Sequence, residues 1–355
     1  MKLRRLRLVN FRNVSFAEVP LTGRRVFLLG ANGQGKTNFL EAVSLLPALR
    51  SFRTQDTSLL IRHGTAAAQT SCLLEHEIEG ETEITITVES GKKNVDVDGI
   101  PIRQFSEYLG RFPAVPFCTA DIELLRSSPA TRRRWLDMVI AGETPAYLEA
   151  LRRYHNVLAA RNQLLRQPSP DIAQLEAFEK TLAPCAETIA SARARVLAEM
   201  SSLLQQLYAE IAYPAAPAYL HPNPNSTPTA SGGWLELYAR QRSNDILARN
   251  TQRGPHRDDF SFLLDGHPAR DTASEGQQRA LVLALELAWL TRLRIKNTAT
   301  PIVLADDILG ELDPQRKTGF WRTLGDACQV LATGTIPPEN PAQWQIIHVD
   351  NGSYK

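Results

Sequence analysis

Apolar residues along the 355-residue chain change their period twice, from alternation to helical spacing and back. Leu6, Leu8 and Phe11 begin an edge strand and Val14 to Val19 continues it, because alternation marks a half-buried strand. Val26-Phe27-Leu28-Leu29 is unbroken and ends at Gly30, the pattern of a strand covered on both faces. From Gly35 to about Leu46, Phe39, Leu40, Ala42, Val43 and Leu46 recur at helical spacing. Residues 69 to 102 alternate again, and Asp98-Gly99 suits a tight hairpin turn.

Around residue 120 the pattern turns helical. Ser128-Pro129, Thr144-Pro145 and Ser169-Pro170 each set a capping hydroxyl before a proline at the first helical position. They predict helices at roughly 129 to 140, 145 to 166 and 170 to 211. The last two are separated by Gln167-Pro168-Ser169 and should fold back on each other as a stubby antiparallel arm, the shorter reaching roughly 33 Å. Residues 213 to 233, rich in proline, read as a connector. Beyond it come a strand at Phe260 to Leu264, a helix at Glu275 to Lys296, a buried strand at Pro301 to Ala305, and a helix at Pro314 to Gly325 capped by Asp313. Strands at Gln329 to Ala332 and Gln345 to Val349 close the chain. The organisation is α/β, divided as 1–118, a helical insert domain at 119–232, and 233–355.

Composition adds exclusions. Hydrophobic residues at 43% and charged residues at 22% describe a folded chain rather than a disordered one. The net charge of +2 rules out coating nucleic acid by bulk charge, although 32 of the 40 basic residues are arginines, which grip phosphates bidentately. Cys72, Cys118, Cys185 and Cys328 lie too far apart for a zinc site or a disulfide framework and are expected as buried thiols. The N-terminus lacks a signal-peptide pattern, and the apolar stretch Ala280 to Leu290 is too short to span a bilayer, so a cytoplasmic protein is expected.

Gly30-Ala31-Asn32-Gly33-Gln34-Gly35-Lys36-Thr37 fits GxxxxGK[ST] between a buried strand and a helix, the context a phosphate loop requires. Its backbone N–H groups would face the phosphates of ATP, Lys36 would reach the β- and γ-phosphates, and Thr37 would ligate Mg²⁺. The strand ending in Asp306-Asp307 supplies the acidic partner. Asp306 is the candidate metal ligand and Asp307 the candidate catalytic group orienting water. Taken alone, a glycine turn and a solvated acidic turn explain these residues as well; their conjunction favours nucleotide chemistry.

Ser274-Glu275-Gly276-Gln277, opening the long helix, resembles the signature motif of ABC-type ATPases, and a helix N-terminus of this kind suits a phosphate, although a plain helix cap by Ser274 explains the residues equally. Leu309-Gly310-Glu311-Leu312-Asp313 is similar to the loop that follows the acidic strand in those folds. The implied fold is an ABC-type P-loop ATPase head, a mixed sheet core with flanking helices and an antiparallel β lobe, carrying the helical insert.

A closer resemblance runs the whole length. Leu6 to Asn13, the phosphate loop continuing through Asn38-Phe39-Leu40-Glu41-Ala42, Ser51-Phe52-Arg53, Pro129 to Asp137, Gly254-Pro255-His256-Arg257-Asp258-Asp259 and Ser274 to Arg279 are similar to the RecF family, recombination-mediator ATPases related to SMC proteins. The resemblance implies a weak, DNA-stimulated ATPase that dimerises with ATP on single-stranded or gapped DNA, Ser274 to Gln277 of one subunit completing the site on Lys36 of the other. It further implies RecR and RecO as partners in loading RecA, a place in replication-fork maintenance and the SOS response, and Arg12 near the nucleotide, although an exposed strand-end arginine reads equally well. Departures are Cys118-Thr119-Ala120-Asp121, where the family usually has a proline before the aspartate, Gly310 in place of serine, and Thr333 where ABC transporters place a histidine; Thr333 is the candidate γ-phosphate sensor.

Arg132-Arg133-Arg134, with Arg126, Arg152, Arg153, Arg161 and Arg166, gives the insert a basic bias suited to DNA phosphates, against an ion-paired helix face as the alternative. His256, Arg257 and Asp258 are assigned to a structural turn after Gly254-Pro255 in preference to the alternative of a catalytic or DNA role. A transporter ATPase subunit and a P-loop kinase are the competing functions.

Overall fold

The computed structural model describes residues 1–212, 216–228, 233–296 and 299–355; residues 213–215 and 229–232 of the expected connector lie outside the described residues. The chain forms two compact units, one of residues 1–122, 206–215 and 279–355, the other of 123–205 and 216–278. The expected division at 232/233 is not where these units part. Residues 233–278 pack with the insert, because the strand at Asp259–Leu264 takes its partner from Ala218–Asn223, within the stretch read as connector.

The first unit opens with β1 (Lys2–Phe11), β2 (Val14–Pro20), β3 (Arg25–Leu29) and α1 (Lys36–Ser44), then β4 (Ala67–His76), β5 (Gly80–Glu89), β6 (Lys92–Val97), β7 (Ile100–Pro101) and β8 (Ala114–Cys118). Strands β2, β1, β4, β5, β6 and β7 lie in that order as one antiparallel sheet. Strand β1 is therefore interior, not the expected edge, and Leu3, Leu6, Leu8 and Phe11 are fully buried. Its second partner, β4, lies more than fifty residues onward, so no local pattern announces it. The Asp98-Gly99 pair forms the hairpin turn with φ of 51° and 76°, where Val97 faces Ile100.

The second unit contains α2 (Glu123–Arg126), α3 (Pro129–Ala141), α4 (Pro145–Leu165), α5 (Ile172–Ile211), β9 (Ala218–Asn223), α6 (Gly233–Ala248), β10 (Asp259–Leu264), β11 (His267–Pro268) and α7 (Ala269–Thr272); α5 continues into the first unit from Gln206. Ser128 and Thr144 occupy cap positions ahead of proline, yet neither side chain makes a cap hydrogen bond. At α5 the acceptor is Asp171, which takes the N–H groups of Ala173 at 2.8 Å and Gln174 at 3.3 Å, so the helix begins two residues later than Ser169-Pro170 suggested. A carboxylate is the stronger acceptor at the positive end of a helix. Helices α4 and α5 run antiparallel, as shown by Arg161 meeting Glu179 near the connecting turn and Tyr147 meeting Arg193 farther from it.

The chain then continues through α8 (Glu275–Lys296), β12 (Ile302–Asp306), α9 (Ile308–Glu311), α10 (Pro314–Leu324), β13 (Val330–Gly334), β14 (Gln345–Asp350) and β15 (Ser353–Tyr354). Strands β15, β14, β3, β13, β12 and β8 form a mixed sheet, parallel from β14 to β8 and antiparallel at β15. Strand β8, which escapes sequence detection, carries Pro116; it lies at the sheet edge, where a missing N–H is tolerated. Helix α1 packs against β12 and β13 of this sheet and β1 and β4 of the antiparallel one, giving the first unit one continuous apolar core. All four cysteines are buried and unpaired with one another. Among the described residues no helix is long and apolar enough to cross a membrane.

Candidate nucleotide site

Lys36, Thr37, Asp306, Asp307 and Thr333 stand at the ends of parallel strands or the start of α1. The unbroken apolar run of β3 must be covered on both faces, and it ends beside β13 and β14, so the loop after it emerges at the carboxyl edge of the sheet. Gly30 begins that loop against β14: a Cβ there would lie 2.3 Å from the Val349 carbonyl oxygen, so only glycine fits. Gly35, at φ 112°, turns the chain into α1, and the Tyr354 hydroxyl donates to its carbonyl at 3.0 Å. Asn351 N–H donates to the Gln34 side chain at 2.7 Å and Gly352 N–H to its carbonyl at 2.8 Å, fixing the loop from outside.

Lys36 is buried as the first residue of α1, and its ammonium group donates back to the carbonyls of Gly30 at 2.8 Å and Ala31 at 3.0 Å. These are neutral acceptors. No carboxylate pairs with Lys36 among the described residues, so its charge is held across the loop without being cancelled. Next to it the Thr37 hydroxyl donates to Asp306 Oδ1 at 3.0 Å, joining the loop to the end of β12.

Thr333, at the end of β13, ties the acidic pair together. Its hydroxyl accepts from the Asp307 N–H at 2.8 Å, donates to Asp306 Oδ1 at 2.9 Å and lies 3.2 Å from Asp307 Oδ1. Asp307 adopts the left-handed region at φ 56°, a conformation that aspartate tolerates better than most residues and that costs on the order of 1 kcal/mol. Burial raises the Asp306 carboxyl above its usual range, the nearby Asp307 charge adding to it and the bonds from Thr333 and Thr37 opposing it. A half-buried carboxylate beside the Thr37 hydroxyl offers the hard oxygen donors that Mg²⁺ takes.

Two acidic residues that the motif reading left without a role also belong here. Glu41 in α1 is fully buried, with Arg12 donating to it bidentately at 2.9 and 2.6 Å, Ser51 at 2.5 Å and Arg53 at 3.2 Å. Arg12 is therefore not an exposed strand-end residue; it is fixed to the helix that carries Lys36. Asn38, one turn earlier on the same face, donates to Asn13 at 2.8 Å and accepts from Arg53 at 2.9 Å. The i, i+3 spacing of Asn38 and Glu41 was the available signal. Asp121, after β8, accepts from Cys118 N–H at 2.6 Å and Cys118 Sγ at 3.0 Å, and burial raises its carboxyl, with the Asp306 charge contributing.

Other candidates lie in the second unit. Ser274 N–H donates to the Gln277 side chain at 2.8 Å, and Gln277 N–H to Ser274 Oγ at 3.3 Å, a reciprocal cap on an exposed helix start that includes Glu275 and Gly276. Arg132 must be withdrawn as a DNA contact: it is buried, bidentate to Asp259 at 2.7 and 2.9 Å, and donates to the carbonyls of Leu124 and Ser127. Arg161 is withdrawn likewise, being fully buried between Glu179 and Asp245. Of the arginine triplet Arg133 is half-buried and Arg134 exposed.

Residues 2–335 match the family model described as the RecF/RecN/SMC N-terminal domain. The chain is 34% identical to the DNA replication and repair protein RecF of Thermosynechococcus vestitus, over 99% of this chain and 97% of that one. It is 35% identical to RecF of Geobacter metallireducens, over 94% and 93% of the two chains. A solved structure of the recombination mediator protein RecF with ATP, in the RecFOR pathway, superposes with a TM-score of 0.90 at 27% identity, covering 99% of this chain and 96% of that one. An Smc head bound to the C-terminal winged-helix domain of ScpA has a TM-score of 0.55 at 17% identity, covering 100% of this chain and 96% of that one, a likeness of fold alone. Full-length agreement with both sequences and structure places the chain in the RecF family of SMC-related ATPases.

Proposed function

We propose that the chain binds ATP with Mg²⁺, pairs through it with a second copy on gapped or single-stranded DNA, and works with RecR and RecO in loading RecA during repair in the cytoplasm. The observation that carries this reading is the hydrogen-bonded link from the loop to the acidic strand end, Thr37 to Asp306 and Thr333 to both Asp306 and Asp307, beside a buried Lys36 that rests on two carbonyls with no carboxylate partner among the described residues. The relative solved with ATP supports the choice of nucleotide. Lys36 would exchange its two carbonyl acceptors for phosphate oxygens and neutralise charge as the terminal phosphoryl group departs. Asp307 would orient the attacking water, with Thr333 fixing its backbone and sensing the γ-phosphate. The metal, held through Thr37 and Asp306, would supply further charge neutralisation. Ser274 to Gln277 of a second copy would complete the site, since they present an exposed helix N-terminus. Hydrolysis then acts as a slow switch of association state.

Sizing by light scattering with and without ATP, repeated on a gapped duplex, tests this. The wild-type chain should become a dimer with ATP and remain on DNA, while Lys36→Arg stays monomeric. If the variant dimerises and holds DNA as the wild type does, the reading fails. It also fails if ATP consumption ignores DNA and depends on a metabolite, as for a P-loop kinase.

A further inference from the structure

The Gly254-Pro255-His256-Arg257-Asp258 turn in the second unit is rigid on its inner side and cationic on its outer side. Inside, His256 Nδ1 meets the Tyr154 hydroxyl at 2.8 Å, Arg193 donates to the Pro255 carbonyl at 2.6 Å, and Asp258 accepts from Asn225 N–H at 2.8 Å. A Cβ on Gly254, at φ 140°, would lie 2.4 Å from the Tyr154 hydroxyl, so only glycine fits there.

Three further arginines hold this turn only through main-chain carbonyls. Arg133 donates to the carbonyl of Asp258 at 2.7 Å, Arg253 to that of Asn225 at 2.8 Å and Arg257 to that of Thr251 at 3.3 Å. The acids nearby are already engaged: Asp137 and Asp258 with Arg193, and Asp259 with Arg132. Five guanidinium groups thus stand against three carboxylates, an excess of two positive charges, and Arg133, Arg253 and Arg257, which form no ion pair of their own among the described residues, keep spare N–H donors. Arg253 and Arg257 are exposed and Arg133 half-buried. Arg133 and Arg253 donate through one terminal guanidinium nitrogen and Arg257 through Nε, so each guanidinium is oriented by a neutral acceptor while its charge and remaining N–H donors stay available, the arrangement that suits successive phosphate oxygens.

We infer that Arg133, Arg253 and Arg257 form a phosphodiester-binding site that grips the nucleic-acid backbone without reading bases. This rests on the DNA-binding reading above and gives it a location. The test measures fluorescence anisotropy of a labelled duplex and, separately, a labelled single strand, with the full chain and ATP across a salt series. Arg253→Glu/Arg257→Glu should weaken binding about tenfold or more and lower the slope of log K against log salt by about 2 on duplex. Loss on one substrate alone identifies which backbone the site holds. Arg166→Glu/Arg240→Glu, which removes the same charge from exposed positions of the same unit, should have the smaller effect, and nucleotide binding should be unchanged in both variants. If the wild type binds DNA and the turn variant binds equally well with the same slope, or the control weakens it as much, the site is refuted while DNA binding stands. If the wild type binds neither substrate, the DNA reading and the site both fall.

Discussion

The candidate nucleotide site of the first unit and the ion network of the second both bury charge, yet they satisfy it differently. In the second unit Arg161 is fully buried, donating to Asp245 at 2.8 Å, Glu179 at 2.9 Å and Thr251 Oγ1 at 2.7 Å, and Arg242 adds a second cation on Glu179. Each charge there meets an opposite charge. At the candidate phosphate loop the hydrogen-bond partners of Lys36 are carbonyls and those of Asp306 are hydroxyls, and neither forms an ion pair among the described residues. A charge paired with its opposite is fixed, whereas a charge resting on neutral partners can be transferred to a ligand. The same distinction sorts the arginines of the insert, separating Arg132, Arg161 and Arg193, committed to carboxylates, from Arg133, Arg253 and Arg257, committed to carbonyls.

This contrast can be broken in three ways. The largest effect is expected from Arg161→Met, which leaves Asp245 buried without its cation and should cost about 3–5 kcal/mol in denaturant unfolding. A cost under about 1 kcal/mol would mean the network is no more fixed than the phosphate loop. Next comes acid. Burial lowers the His256 pKa to about 4 from 6.5, so the unfolded chain takes up this proton first as pH falls. Stability from this group should therefore decline from about pH 6.5 towards pH 4, by on the order of 2–3 kcal/mol, and His256→Gln should flatten that part of the profile. An unchanged profile in the variant would show that the turn's interior does not depend on a neutral histidine. The smallest effect belongs to Thr333→Ala. It should lower ATP turnover about tenfold, equivalent to about 1.4 kcal/mol, while ATP affinity and melting temperature barely move, and Thr333→Ser should restore turnover. Loss of nucleotide binding together with turnover would assign Thr333 to structure instead.

Much of the fold was legible because its signals are local. The run Val26 to Leu29, the glycines after it and the helical spacing from Phe39 to Leu46 are contiguous, so β3, the loop and α1 could be placed before any tertiary contact was known. Asp313 could be read as a cap, and its carboxylate does accept from Arg316 N–H at 2.9 Å. Strand β9 was hidden among prolines and asparagines, and β8 contains a proline, so neither has the composition of a strand; each exists because a distant strand offers it hydrogen bonds. The run of three arginines misled for a related reason. In a helix, consecutive residues point in different directions, so Arg132, Arg133 and Arg134 received three environments, and only the fold decided which.

By itself the sequence determined the chemistry available: a phosphate loop, an acidic strand end, a capped helix start, and the order in which they occur. Those are properties of neighbouring residues, set by glycine conformations, apolar periods and capping geometry. Only the tertiary structure decided how each charge is used. Glu41 binds Arg12 across twenty-nine positions, Thr37 meets Asp306 across 269, and Arg132 meets Asp259 across 127. Whether an arginine holds the protein together or remains available to a phosphate depends on which acceptor folding brings to it, and no stretch of sequence contains that acceptor.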